Sequence, residues 1–241
     1  MSTYDAHPAL RQSDAKLLLD CPARFKQERK ETRAFSFGAA LHDAVIFQKN
    51  NIKLSPAERK KLDAMTPVAG AIFDKTFKDA TDQCEEVIVE EPIFFTYHAV
   101  ECKAKPDYLI RRRDGTVDVY DLKSTKSCHP SSFKRSTVAY GYDFQAAWYL
   151  EAIKSKYPDA REIRFHFLAV EKSLQPLATC FTASELFLNE GRAKNKRALD
   201  IYKKCTAENS WPDYNANGPV LLTPDYITAQ QLEGEIGRAH V

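Results

Sequence analysis

Two aspartates and a lysine on two short β-like segments are the residues of this sequence best suited to chemistry. Asp107 precedes the first segment, whereas Asp121 and Lys123 lie at the end of the second. The Asp-Gly pair at 114–115, placed between two β-forming runs, is typical of a hairpin. The separation of 121 − 107 = 14 residues predicts that a turn centred on Asp114 places the two aspartates opposite each other.

The type of turn decides whether the two carboxylates share a face. A three-residue turn with Gly115 in the left-handed conformation puts Asp107 opposite Asp121. A two-residue loop would instead pair Asp107 with Leu122 and would turn the carboxylates to opposite faces of the sheet. The sequence therefore predicts an odd loop or a bulge between Arg113 and Thr116.

Two carboxylates on one face favour a cation between them. At about 5 Å they repel by roughly 3 kcal/mol for an effective dielectric constant near 20. Mg²⁺ and Mn²⁺ prefer such oxygen ligands and can promote attack on a phosphate. Lys123 would orient or deprotonate water, or offset charge on the phosphate. The alternative is a surface ion pair between Asp and Lys worth under about 1 kcal/mol.

Other segments supply the elements around this hairpin. Helices are predicted over about 35–46, 55–62, 69–80, 143–157 and 182–205, and strands over 86–90, 92–97, 163–170 and 177–181. Residues 100–102 are expected to lead into the strand that carries Asp107. His42 lies on the first of these helices, where a lone histidine is usually a core residue but is also a candidate metal ligand. Gln145 and Tyr149 are four residues apart and share a helix face.

Composition places no strong limit on function. The chain has 241 residues and 44% hydrophobic residues, which suits one globular domain. A net charge of +2 does not mark a nucleic-acid binder, so any basic surface depends on local clustering. Basic residues do cluster around the hairpin, although ordinary solvated charge is the alternative: Lys103, Lys105, Arg111, Arg112, Arg113, Lys123, Lys126, Lys134 and Arg135.

The six cysteines show no short paired spacing, so neither a zinc knuckle nor a disulfide framework is expected. We find no basic-then-apolar leader and no apolar run of membrane-spanning length. These features predict a cytoplasmic protein without a membrane partner.

Four motifs in order resemble those of PD-(D/E)XK nucleases of the RecB-like group, and two further segments are similar to the RecE or exonuclease VIII branch. The four motifs are Gly38–His42, Lys105–Asp107, Asp121–Lys123 and Gln145–Tyr149, and the two segments are Leu18–Phe25 and Trp211–Tyr214. The resemblance spans nearly the whole chain. It implies an α/β (α+β) fold with a mixed central β-sheet flanked by helices.

The resemblance also implies an activity and partners. Members of this branch degrade linear double-stranded DNA processively from 5′ ends and leave 3′ overhangs for phage-type recombination. They assemble as rings, so a homo-oligomer (a trimer or tetramer) is expected, with a single-strand annealing protein as a further partner. The chain would be a single nuclease domain over 1–241, with a helical part at about 1–82, a catalytic core at about 83–205 and a wrapping tail at 206–241.

Matched position by position, the resemblance assigns roles. His42, Asp107 and Asp121 become ligands of Mg²⁺, for which Mn²⁺ substitutes, and the Leu122 backbone carbonyl completes the set. Lys123 becomes the catalytic lysine. The expected catalytic residues are Lys123, Asp107, Asp121, Gln145 and Tyr149, and the expected nucleic-acid-binding residues are Lys105, Lys126, Lys134, Arg135, Gln145 and Tyr149.

Several alternatives stay open at this point. Gln145 and Tyr149 would only buttress their helix under a structural interpretation, and Glu91 is a possible further acid. No iron–sulfur cluster is expected: Cys21 matches one ligand position, but Cys180 and Cys205 are 25 residues apart and no further cysteine follows. A single-strand or structure-specific nuclease, or a non-catalytic DNA-binding subunit, would use the same fold.

Overall fold

The protein, described here by a computed structural model, is built from two mixed β-sheets with helices on both faces. The structure describes residues 3–27, 33–49, 51–81, 84–216 and 218–219. The helices are α1 (Thr3–Ala6), α2 (Gln12–Asp20), α3 (Arg33–Ile46), α4 (Pro56–Thr81), α5 (Pro130–Tyr140), α6 (Tyr142–Lys156) and α7 (Glu185–Glu208), with a 3₁₀ segment at Pro22–Lys26. The strands are β1 (Leu10–Arg11), β2 (Cys84–Val89), β3 (Ile93–Tyr97), β4 (Val100–Ala104), β5 (Tyr108–Arg112), β6 (Thr116–Thr125), β7 (Glu162–Glu171) and β8 (Ala178–Thr182).

The larger sheet has the strand order β2-β5-β6-β7-β8, and only the β6–β7 pair in it is parallel. Helix α6 and its neighbours cover one face, where Val117 and Val119 are fully buried. Helices α3 and α4 cover the other face, where Tyr120 and Leu122 join a second cluster. Strand β6 is therefore buried on both sides. The predicted mixed sheet flanked by helices is confirmed.

The smaller sheet corrects one expectation. Residues 100–102 do not continue into the strand that carries Asp107, because β4 pairs with β3 and β1 in a separate sheet. The chain leaves β4 at Ala104 and re-enters sheet structure at Tyr108. Pro106 lies in this break, where its missing N–H would have left a gap in a continuous strand.

Helix α4 joins two predicted helices into one. Its 26 residues include Pro67, which ordinarily breaks a helix at a cost of about 3 kcal/mol. The buried residues Leu62, Met65 and Ala69 lie on one face that continues past the proline. Packing of this face against the sheet holds the helix together through Pro67.

The described part of the C-terminal tail packs on the 3₁₀ segment. Trp211 stacks on Phe25 with ring centroids 4.9 Å apart, and the Lys26 ammonium lies 4.3 Å from the Trp211 ring. Ala23 N–H donates to the Pro212 carbonyl at 3.1 Å. The rest of the predicted wrapping tail, at 217 and 220–241, lies outside the described residues. None of the described helices is long and apolar enough to cross a membrane.

Asp118 is a buried carboxylate near the start of β6, away from the site described below. Arg112 Nε donates to it at 2.5 Å, Arg164 Nε at 2.8 Å, and His166 Nε2 lies at 3.2 Å. Burial alone would raise the pKa of this carboxyl, but the hydrogen bonds from His166, Arg112 and Arg164 outweigh burial and lower its pKa to about 2. The carboxylate is therefore more stable in the folded chain than in the unfolded one.

Asp118→Asn is expected to lower the free energy of unfolding at neutral pH by about 2–3 kcal/mol, since the wild-type pKa falls from about 4 unfolded to about 2 folded. Because the pKa is lower in the folded chain, the ionised carboxylate stabilises the fold at pH values above the unfolded-state pKa. This stabilisation is lost as pH falls through the folded-state pKa. The difference between variant and wild type should therefore shrink between about pH 4 and pH 2. Urea unfolding over a pH series measures it, and a difference independent of pH would contradict the assignment.

Candidate active site

The hairpin of β5 and β6 has the predicted register. Tyr108 pairs with Tyr120 and Arg111 with Val117, so one further step of this register places Asp107 opposite Asp121. Residues 113–115 form the loop, Gly115 has φ = +82°, and its N–H donates to the Arg112 carbonyl at 3.0 Å. The prediction of a three-residue turn with a left-handed glycine is confirmed.

Asp107 is held against the opposite strand and the neighbouring helix. Its Oδ2 accepts from Leu122 N–H at 2.8 Å, and its Oδ1 lies 3.4 Å from His42 Nδ1. Burial and, to a smaller extent, the Asp121 carboxylate outweigh the opposing effects of His42 and Lys123 and raise the pKa of Asp107 to about 6. The two acids therefore repel each other across the hairpin, as the sequence predicted.

Asp121 is contacted from two sides and is 1% exposed. Gln145 Nε2 donates to its Oδ1 at 2.7 Å. Its Oδ2 is buried and lies 2.5 Å from Lys123 Nζ, which makes an ion pair. Burial lowers the pKa of Lys123, yet the carboxylates of Asp121 and Asp107 outweigh it and raise the pKa above its usual value.

His42 on α3 reaches the end of β6. Its Nε2 lies 2.9 Å from the Leu122 carbonyl oxygen, while Nδ1 faces Asp107. Helix α3 contacts β6, and Leu41 next to the histidine is fully buried, which fixes the direction of the His42 side chain. The structure thus brings His42, Asp107, Asp121 and the Leu122 carbonyl to one place.

A divalent cation fits this set by chemistry. In the described ranges, no three side chains of His, Cys, Asp or Glu form a ready-made metal cluster. The donors are nevertheless two carboxylates, an imidazole and a carbonyl, which suit Mg²⁺ or Mn²⁺. His42 Nε2 donates a hydrogen bond to the Leu122 carbonyl oxygen at 2.9 Å, which holds these two groups side by side. Asp121 Oδ2 is a buried oxygen without a hydrogen-bond donor.

Gln145 and Tyr149 behave differently although both lie on α6. Gln145 contacts Asp121 and lines the open groove next to it. Tyr149 is not among the residues that line this groove, and its ring packs near Phe165 at 6.1 Å. Burial, with the carboxylates of Asp121 and Asp107, raises the pKa of Tyr149 well above its usual value. Its position is that of a buttress behind the site.

The groove has a volume of about 760 Å³ and runs along the end of β6. Of the basic residues expected to bind nucleic acid, Lys105 and Lys126 line it. Lys105 is ion-paired with Glu90 at 2.5 Å. Lys134 and Arg135 are exposed on α5 but are not part of the groove lining. The groove therefore holds only part of the predicted basic cluster.

Other members of that cluster stabilise the fold. Lys103 is buried, and its ammonium donates to the carbonyls of Tyr4 and His7 at 2.5 and 2.6 Å. Arg111 pairs with Asp159 at 2.8 Å. Arg112 is bound to Asp118 as described above. None of these three side chains lines the groove, because each is held by a partner elsewhere in the fold, and a count of charges along the sequence does not detect this.

Sequence reasoning missed several residues that line the groove. Glu91, the possible further acid, pairs with Lys156 at 2.7 Å and is half exposed, whereas Glu90 lines the groove. Glu90 has φ = +45°, a conformation that is uncommon for a non-glycine residue. Lys16, Tyr140 and Tyr142 also line it and carry no motif signal.

The described fold is similar to several solved structures. A crystal structure of a candidate exonuclease from Eubacterium rectale matches with a TM-score of 0.67 at 14% identity, covering 96% of this chain and 97% of that chain. A phage-related exonuclease from Haemophilus somnus 129PT has a TM-score of 0.34 at 11% identity, covering 85% and 97%. An alkaline exonuclease from Laribacter hongkongensis has a TM-score of 0.33 at 12% identity, covering 83% of this chain and 94% of that chain.

At these identities the likeness to the Eubacterium rectale structure shows the fold, and the other two likenesses are weak. A search of curated proteins finds no match to this chain. A family of PDDEXK-like domains matches residues 9–218, which is most of the chain. Family and fold support a nuclease and confirm the PD-(D/E)XK resemblance, although the RecE branch in particular is not confirmed. The chain belongs to the family described as PDDEXK-like domain of unknown function (DUF3799).

Proposed function

We propose that the protein is a metal-dependent exodeoxyribonuclease that hydrolyses phosphodiester bonds of linear double-stranded DNA. The observation that carries the proposal is the convergence of His42, Asp107, Asp121, Lys123 and Gln145 at the end of β6, beside an open groove. This set combines paired acids, a partly exposed ammonium and a hydrogen-bond donor. Such a combination suits the hydrolysis of a phosphate diester.

Each residue of the site has a task that follows from its contacts. His42, Asp107, Asp121 and the Leu122 carbonyl would hold Mg²⁺, or Mn²⁺ in its place. When bound, this cation supplies positive charge to the scissile phosphate. The Gln145 amide fixes the orientation of the Asp121 carboxylate through its bond to Oδ1.

Lys123 acts on the phosphate side of the site. Its ammonium lies next to Asp121 and lines the groove, so it can hydrogen-bond an oxygen of a phosphate that enters there. Water attacks phosphorus and gives up a proton, the bond from phosphorus to the departing sugar oxygen breaks, and that oxygen takes up a proton. The ammonium offsets the negative charge that grows on the phosphate oxygens during this step.

The finer features of the proposal follow the RecE resemblance. They are digestion from 5′ ends, 3′ overhangs for phage-type recombination, a ring-shaped trimer or tetramer, and a single-strand annealing partner. Lys105 and Lys126 are the basic residues in the groove that support phosphate contacts. Contacts of this kind release counterions, so DNA binding should weaken steeply with added salt.

An end-labelled digestion tests the proposal. Linear, nicked, closed circular and single-stranded DNA are incubated with Mg²⁺, and the label is placed on the 5′ or the 3′ end in separate reactions. We expect nucleotide release from linear duplex and none from closed circles. Cleavage of single strands alone would favour the single-strand nuclease, and no release from any DNA, with metal binding intact, would favour a non-catalytic DNA-binding subunit.

A further inference from the structure

The junction between α5 and α6 forms one rim of the groove. Helix α5 ends at Tyr140 and α6 begins at Tyr142, so a single residue, Gly141, joins them. Gly141 has φ = +64°, and a Cβ there would lie 3.0 Å from the Lys16 side chain. The positive φ and the close approach of Lys16 both favour glycine at this position. The single-residue turn places Tyr140 and Tyr142 side by side on the groove.

The two tyrosines are part of a continuous aromatic stack. The rings of Tyr140 and Tyr142 have centroids 5.7 Å apart and an interplanar angle of 28°. Tyr142 stacks in turn on Phe167 of β7 at 5.5 Å and 27°. The inner end of the stack is thus anchored in the core of the larger sheet, where Phe167 is 2% exposed. This anchoring holds the outer ring in a defined position.

The outer ring is open to solvent beside the reacting groups. Tyr140 is 60% exposed although its ring packs on that of Tyr142. Its partner Tyr142 lies under the Lys123 ammonium, which is 5.0 Å from the ring centroid. Lys16 Nζ donates to the Tyr140 carbonyl at 2.7 Å and adds a positive charge at the same rim. An aromatic face next to lysines is the composition of a site that stacks nucleobases.

We propose that Tyr140 stacks on an unpaired nucleobase of the strand whose phosphate enters the site. This inference rests on the proposed function and narrows its substrate to a strand with unpaired nucleotides at the cleavage point. Bases inside a duplex have both faces covered by neighbouring bases, so an exposed ring can stack only on a base that has left the helix or lies at its end. The protein would therefore prefer frayed or single-stranded ends over the interior of a duplex.

Equilibrium binding with a chelator present tests this without cleavage. Wild type, Tyr140→Leu and Tyr140→Phe are each titrated with a labelled oligothymidylate and with an abasic strand of the same length, which keeps the phosphates but lacks the bases. We expect Tyr140→Leu to lose about five- to a hundredfold in affinity for oligothymidylate and almost nothing for the abasic strand. Tyr140→Phe should bind both strands within about twofold of wild type, since it keeps the ring.

A matched control removes an exposed apolar side chain elsewhere. Leu186 is 81% exposed near the start of α7 and is not part of the groove lining, so Leu186→Ala should bind both strands as wild type does. The inference is overturned if Tyr140→Leu loses affinity equally for both strands or loses none. It is also overturned if wild type binds the two strands with equal affinity. None of these results decides whether the protein is a nuclease, which the digestion experiment tests separately. Base-dependent loss in a protein that cleaves no DNA would uphold the stacking site and reject the nuclease.

Discussion

Lys123→Met is expected to reduce DNA hydrolysis by about a hundred- to a thousandfold, the usual cost of removing one preorganised charge from a transition state. Methionine keeps the length and apolar stem of the side chain but removes the ammonium that lies 2.5 Å from Asp121 Oδ2. The proposed metal ligands are untouched, so binding of Mg²⁺ or Mn²⁺ should persist. Single-turnover cleavage of linear duplex, with calorimetric titration of the metal, separates the two quantities.

The matched control for this change is Lys126→Met. Lys126 lines the same groove, but it is exposed and has no contact with the two acids among those found in the described residues. Its loss should weaken DNA binding mainly at low salt and reduce the salt slope by about one phosphate contact. Equal loss of cleavage in both variants would show that Lys123 contributes only general positive charge. Loss of metal binding in Lys123→Met would show that the lysine organises the acids.

Lys123→Met should also change stability in a way that depends on metal. Without the ammonium, the carboxylates of Asp107 and Asp121 face each other with less compensation of their charge, so the variant should unfold more easily in a chelator. A bound cation would restore that compensation, because a ligand that binds only the folded chain stabilises it. The rise in melting temperature on adding Mn²⁺ should therefore be larger for the variant than for wild type.

Local chemistry explains why the hairpin could be predicted from sequence. The alternation of side chains along a strand is fixed by covalent geometry, and Asp114-Gly115 selects one class of turn, so the register of Asp107 against Asp121 follows from counting. The position of His42 could also be predicted locally, because its helix begins and ends within a short apolar segment. These parts of the site depend on few distant contacts.

The parts that could not be predicted depend on topology. The separate sheet formed by β4, the single helix through Pro67 and the rim at Tyr140 all result from packing between segments far apart in sequence. The sequence places the start of this helix at Asp143, whereas α6 begins at Tyr142, and the reason is again topological. Gly141 takes the N-cap position because α5 runs directly into α6, and the Asp143 side chain instead accepts from Phe144 N–H and from the Lys194 ammonium.

Asp121→Asn is expected to abolish both metal binding and hydrolysis, with a loss in cleavage rate of at least about a thousandfold, since several kcal/mol of charge stabilisation depend on the cation. The change is small in volume, and the asparagine oxygen can still accept the Gln145 amide that now binds Oδ1. The asparagine NH₂ group would then replace Oδ2 beside the Lys123 ammonium, where two donors face each other. Metal titration by calorimetry and single-turnover cleavage measure the two losses.

Asp118→Asn is the matched control, because Asp118 is a buried carboxylate three residues earlier on the same strand, on the opposite face of the sheet. Measured well below its melting temperature, that variant should bind metal and cleave DNA as wild type does, although it is less stable. If Asp121→Asn also retained metal binding, the cation would not depend on this carboxylate, and the ligand set at the end of β6 would be wrong. If both variants lost cleavage equally, general destabilisation of β6 would explain the effect. Loss confined to Asp121→Asn is therefore the result that ties hydrolysis to the pair of acids across the hairpin.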